Sequence, residues 1–77
     1  MVPKRDRMRD GALLRGFRLG ANMTQVEAAK LTRLSVTRIS LIERGLEEEP
    51  QYYFNMARGL GLSAKKLRMY VKSKKVS

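Results

Sequence analysis

The chain contains no cysteine and no histidine. Without cysteine there is neither a disulfide framework nor a thiolate metal site to support a small fold. Without histidine the usual general base, the usual switch near neutral pH and the commonest zinc ligand are missing together. These absences leave a poor catalytic toolkit and argue against an enzyme without formally excluding one; no metal, other cofactor or small-molecule ligand is expected. Acidic residues are scarce too: seven Asp and Glu stand against 17 Lys and Arg in 77 residues, a formal charge of +10. No apolar run approaches the roughly 18–20 residues that span a bilayer, so no membrane segment is expected. The opening MVPKRDRMRD lacks the apolar stretch of a signal peptide, which makes the cytoplasm the expected compartment.

What is present is one domain's worth of sequence, close to the smallest core that is stable without staples. A basic excess of this size calls for a polyanionic partner. Nucleic acid is the first candidate and an anionic membrane surface the competitor. Lys4, Arg5, Arg7, Arg9, Arg15 and Arg18 crowd one end; Lys65, Lys66, Arg68, Lys72, Lys74 and Lys75 crowd the other; Glu47, Glu48 and Glu49 form an acidic block between them. Each basic end reads as a solubilising tail or as a strip that tracks phosphates, where every neutralised phosphate adds salt-dependent affinity. Residues 1–9 are expected to be a flexible basic arm, 10–71 the domain and 72–77 a basic tail.

No alternating pattern of strand type extends beyond a few residues, and the periodicity predicts five helices. The first runs over about 10–19 with Asp10 as its N-cap and Leu13, Leu14 and Phe17 as its apolar stripe. Asn22 suits the left-handed backbone on which the chain leaves it. The second covers 25–32, with Thr24 and Glu27 as a capping box and Ala28 and Ala29 small enough to admit a neighbouring helix. The third follows Ser35, turns Ile39 and Ile42 inward and stops at Gly45. The fourth opens at Pro50, whose missing amide costs nothing there, and closes at Gly61. The fifth is capped by Ser63 and runs to about Val71. The predicted core is Leu14, Phe17, Met23, Ala29, Leu34, Ile39, Ile42, Met56, Leu60, Leu62 and Leu67.

The stretch from 23 to 45, MTQVEAAKLTRLSVTRISLIERG, is the most informative. Two short helices on a tight connection, in so basic a chain, point to a helix-turn-helix that offers its second helix to nucleic acid. At Gln25, Ala29, Ile39, Ile42, Glu43 and Gly45 the pattern resembles the Cro/C1-type, lambda repressor-like helix-turn-helix family. Arg18, Pro50, Ala57, Leu60, Gly61, Leu62, Ser63 and Leu67 support it, and the likeness runs without gaps from about Leu13 to Leu67.

That resemblance implies a compact all-α, five-helix domain and a partly buried ion pair between Arg18 and Glu43. Physics concurs on the pair, because an acid beside Ile42 needs a cation, and arginine offers a bidentate one. It implies that the third helix docks in the major groove of double-stranded DNA with Ser35, Val36, Thr37, Arg38 and Leu41 toward base edges. Ser and Thr can hydrogen-bond several bases; Val36 and Leu41 suit thymine methyls; Arg38 can reach guanine O6 and N7 or a phosphate. Gln25, Arg33 and Arg44 would face phosphates, Gln25 at a helix N-terminus that already favours anions. Leu62, Lys66, Met69, Tyr70 and Val71 are the candidate homodimer surface, with packing on the domain's own core as the alternative for Met69 and Tyr70.

Three departures stand out. Arg33 occupies the family's turn glycine, where a left-handed backbone would cost about 1 kcal/mol. Ala28 and Thr32 replace leucines and thin the core. The block Glu47–Glu49 lies where the family often carries a basic, DNA-facing loop. Its carboxylates turn away from phosphates, or docking is tilted, or that surface faces a protein.

The leading expectation is a sequence-specific regulator of transcription, most simply a repressor of phage or bacterial type, bound as a homodimer to an inverted repeat. Glu47 to Glu49 are then a candidate contact for RNA polymerase. The alternative is a protein-interaction module on the same fold, an antitoxin or anti-activator. Generic RNA binding is disfavoured, since no aromatic pair at strand spacing offers a stacking platform.

Overall fold

The computed structural model describes residues 2–70, and among these every regular element is helical. Helix α1 spans Lys4–Gly20, α2 Gln25–Thr32, α3 Val36–Glu43 and α4 Pro50–Leu60; a 3-10 turn, Ala64–Lys66, follows. The boundaries of α2, α3 and α4 agree with the pattern reading, and local chemistry explains them. Thr24 Oγ1 accepts the Glu27 amide while the Glu27 carboxylate accepts the Thr24 amide, a complete capping box. Ser35 Oγ accepts the Arg38 amide at the start of α3. Pro50 opens α4, and Gly61, at φ 87°, closes it in the left-handed region. Asn22 is left-handed as expected, with φ 56°.

Helix α1 starts six residues earlier than predicted, so residues 4–9 are its first turns rather than part of an arm. Asp10 does not cap it. Asp10 Oδ1 and Oδ2 accept the amides of Arg68 and Met69, at 2.7 and 2.9 Å, from the far end of the chain. The expected cap of α1 is thus overturned: Asp10 lies inside α1 and serves backbone amides 58 and 59 positions on. Burial pushes its carboxyl above the usual aspartate range, although those two amides pull the other way.

The buried stripe of α1 is Asp6, Asp10, Leu14 and Arg18 with Gly11 alongside. Leu13 and Phe17, expected to pack inward, are 41% and 38% exposed. Three of the four residues on the inward row are charged, so a reading keyed to apolar spacing selects the neighbouring row. Gly11 is needed where it stands. A Cβ there would lie 2.2 Å from the Ile42 carbonyl oxygen, so glycine lets α1 and the end of α3 meet backbone to backbone.

The core is Leu14, Ala28, Ala29, Ile39, Ile42, Tyr53, Met56, Ala57, Leu62, Leu67 and Met69, with Met23, Leu34 and Leu60 packed at its edge. Ala28, Tyr53 and Ala57 lie outside the predicted core, and Met69 takes the core position that was the alternative to a dimer contact. The fifth helix does not run through as expected. After the turn at 64–66, Leu67 is extended at ψ 138° and buried, and helical backbone resumes at Arg68, where Asp10 supplies the cap. A distant carboxylate that takes two amides sets a new helix start and so interrupts the run that local periodicity suggested.

Candidate nucleic-acid interface

Three residues, Arg33 to Ser35, join α2 to α3. Arg33 takes the left-handed backbone the connection requires, with φ 61° and ψ 28°, and the Leu34 amide reaches back to the Ala29 carbonyl at 3.2 Å. Arginine bears the cost that glycine would avoid, about 1 kcal/mol, and its exposed side chain remains available to solvent or an anion. On the other side of the connection α2 approaches α4 closely. A Cβ on Gly59 would sit 2.8 Å from Thr32 Cγ2, and Thr32 Oγ1 donates to the Ala28 carbonyl. Glycine at 59 thus lets α4 approach Thr32 of α2 closely.

The Arg18–Glu43 pair forms with two parallel contacts, Nε to Oε2 at 2.6 Å and Nη2 to Oε1 at 2.9 Å. The side chains are 8% and 2% exposed. Arg18 Nη1 also donates to the Met23 carbonyl at 2.7 Å, so one guanidinium ties α1 to the entrance of α2 and the end of α3. The bond to Glu43 raises the arginine pKa above its ordinary value. Gln25 Nε2 donates to Glu43 Oε1 at 3.1 Å. Gln25, read as a phosphate ligand, is therefore held at the α2 N-terminus by the same carboxylate.

At the leading end of α3, Ser35, Val36 and Thr37 are exposed, Val36 at 40%. Leu41, placed on that surface by the sequence, is only half-buried, and its carbonyl accepts the amides of Leu46 and Glu47. Arg38 is engaged within the chain. Its Nη1 donates to Glu47 Oε1, and its Cζ stands 3.9 Å from the centre of the Tyr52 ring. Arg44 is exposed, with Nε 3.3 Å from the Ser40 carbonyl.

One member of the acidic block is neutralised from within. Glu47 is buried; its Oε2 accepts the amides of Glu48 and Glu49, both at 3.0 Å, and its other oxygen takes Arg38. Burial opposes ionisation there, but the two amides and the guanidinium outweigh it and hold the carboxyl below the usual glutamate range. The Glu47 carbonyl accepts the Tyr53 hydroxyl at 2.7 Å, and burial pushes that phenol up to about 12. Glu48 lies 3.6 Å from Arg7 Nη1, on the turns of α1 the sequence reading left out. No local signal distinguishes Glu47 from its two neighbours, so its role was not legible.

Two of the five dimer candidates are corrected. Leu62 and Met69 are 8% and 3% exposed and belong to the chain's own core, so neither is available to a second copy. Lys66 is exposed, Tyr70 meets Phe54 edge to face at 5.8 Å, and Val71 lies outside the described residues. Among the described residues no group of His, Cys, Asp or Glu could hold a metal ion, and no helix is long and apolar enough to cross a membrane. Comparison of the chain with protein-family models, curated proteins and solved structures finds no match.

Proposed function

We propose that this protein is a sequence-specific double-stranded DNA-binding regulator of transcription, most simply a repressor, in which α2 and α3 act as a helix-turn-helix. The observation that carries this reading is the leading edge of α3. Val36 and Thr37 are exposed and make no side-chain hydrogen bond within the described chain, on a body carrying a formal charge of +10. Small polar and β-branched side chains at a helix N-terminus suit base edges and thymine methyls in a major groove. The Arg18–Glu43 pair fixes the angle of α3 against α1 and α2, which a reading helix requires. Internal pairing of Glu47 with Arg38 lessens the repulsion that three free carboxylates would exert on phosphates, and Arg7 stands 3.6 Å from Glu48. The resemblance to the Cro/C1-type family supports the same reading.

One copy of α3 spans only a few base pairs, so useful specificity calls for a homodimer on two half-sites about one helical turn apart. Selection of bound sequences from a random duplex pool tests this: a two-fold symmetric site is expected, and a pool with no enrichment refutes it. A second reading, a protein-interaction module such as an antitoxin or anti-activator, is favoured by the exposed apolar residues Leu13, Phe17, Leu19, Val26 and Leu31. Salt separates the two. Affinity for random duplex that falls steeply with salt supports the regulator, and no binding at low salt supports the module.

A further inference from the structure

We propose that Glu47 and Tyr52 clamp Arg38 so that it reads one guanine per half-site, making all three residues determinants of specificity. This rests on the DNA-binding reading above. Arg38 sits in the first turn of α3, directly after the exposed Thr37. Its guanidinium lies over the Tyr52 ring and bonds through Nη1 to the buried Glu47 carboxylate. Glu47 cannot swing away, since the amides of Glu48 and Glu49 hold its other oxygen and the Tyr53 hydroxyl holds its carbonyl. Two contacts, a hydrogen bond to the carboxylate and the Tyr52 ring face 3.9 Å from Cζ, restrict a group that is otherwise mobile. The side chain is still 35% exposed, and no described acceptor takes Nε or Nη2.

The clamp decides between the two uses open to an arginine here. Pairing with a carboxylate cancels most of the net charge, which removes the attraction that makes a free cation a good phosphate ligand. It leaves the directional N–H donors and holds them in a plane. Guanine presents two acceptors, O6 and N7, to a planar fork in the major groove, and arginine is the side chain that matches them. A neutralised but oriented guanidinium therefore serves base readout and serves phosphate binding poorly.

The experiment is selection from a random duplex pool with wild type and with Arg38→Ala, Glu47→Gln, Tyr52→Phe and Tyr52→Leu. Salt titration on random duplex and thermal unfolding of each variant accompany it. Wild type is expected to enrich one guanine per half-site. Arg38→Ala should lose that preference by about ten- to a hundred-fold while the other positions of the site persist. Glu47→Gln and Tyr52→Leu should weaken the preference, and Tyr52→Phe, which keeps the ring, should retain it. The salt slope on random duplex should be unchanged in Arg38→Ala and both Tyr52 variants, and should steepen in Glu47→Gln, which frees the guanidinium charge for a phosphate. If Glu47→Gln unfolds, the two Tyr52 variants alone decide whether the clamp matters. A guanine preference that survives Arg38→Ala, or survives both Glu47→Gln and Tyr52→Leu, overturns the proposal. So does a salt slope that falls by about one in Arg38→Ala, the mark of a lost phosphate contact. A site indifferent to all four variants sinks only this inference, whereas a pool that enriches nothing sinks the DNA-binding reading as well.

Discussion

Removing one partner of the Arg18–Glu43 pair is the sharpest test of what holds α3 in place. Arg18→Met keeps the length of the side chain and deletes its charge. Glu43 then remains at 2% side-chain exposure with only the Gln25 amide as a side-chain partner, and the Met23 carbonyl loses its donor. An uncompensated buried charge of this kind costs about 3–5 kcal/mol. A chain of this size has a total stability of about 4–12 kcal/mol, so the loss is about a quarter of it or more. With about 4–8 °C of Tm per kcal/mol in a small domain, the melting temperature should fall by about 20 °C, read by circular dichroism at 222 nm. The double variant Arg18→Met with Glu43→Leu should recover much of that, because an apolar pair of similar volume leaves no buried charge. A drop below about 5 °C for Arg18→Met, or a double variant no better than the single one, would mean the pair is solvated and does not fix α3.

Further outcomes follow from the geometry. In α1, Gly16→Ala should stabilise by about 0.5–1 kcal/mol, since a Cβ there meets nothing within 4 Å. Gly11→Ala should instead destabilise by about 1–3 kcal/mol because its Cβ would strike the Ile42 carbonyl; urea titration separates the two. Thr24→Ala should cost about 0.5–2 kcal/mol by removing half of the capping box. Alkaline pH should destabilise the protein through Tyr53: its folded pKa is raised from 10.0 to about 12, so its contribution is intact below pH 10 and lost as pH climbs toward 12. Tyr53→Phe should flatten that limb of a stability-against-pH curve. Glu47 acts with the opposite sign, as its folded pKa is lowered from 4.5. Its contribution is present above that value and lost as pH falls below it, a loss absent from Glu47→Gln.

The parts of the fold that were legible in the sequence are those set by neighbours in the chain. The Thr24/Glu27 box, the Ser35 cap, Pro50 and Gly61 mark α2, α3 and α4 through contacts spanning a few residues. The Arg18–Glu43 pair, 25 residues apart, was anticipated only because the family resemblance and the burial of an acid beside Ile42 pointed to it. What was misread depends on partners far away in sequence. Asp10 bonds to amides 58 and 59 positions on, and that single carboxylate accounts for the misplaced start of α1, the broken fifth helix and the seating of Met69 in the core. Within the candidate interface, Ser35, Val36 and Thr37 are exposed as expected, while Leu41 is half-covered and Arg38 is held by Glu47 and Tyr52. A glutamate in a run of three gives no sign that one member is buried.

The absence of cysteine makes the most direct test simple, because a single Thr37→Cys substitution gives a unique thiol at the leading edge of α3. An iron–chelate cleavage reagent attached there, with the protein bound to its selected duplex, reports what that edge touches. Two patches of strand cleavage are expected, related by two-fold symmetry and separated by about one helical turn. The same reagent at Gly16→Cys, on the exposed flank of α1, should cut weakly or not at all. Equal cleavage from both positions, or none from position 37 on a duplex the protein demonstrably binds, would contradict the claim that α3 meets the bases.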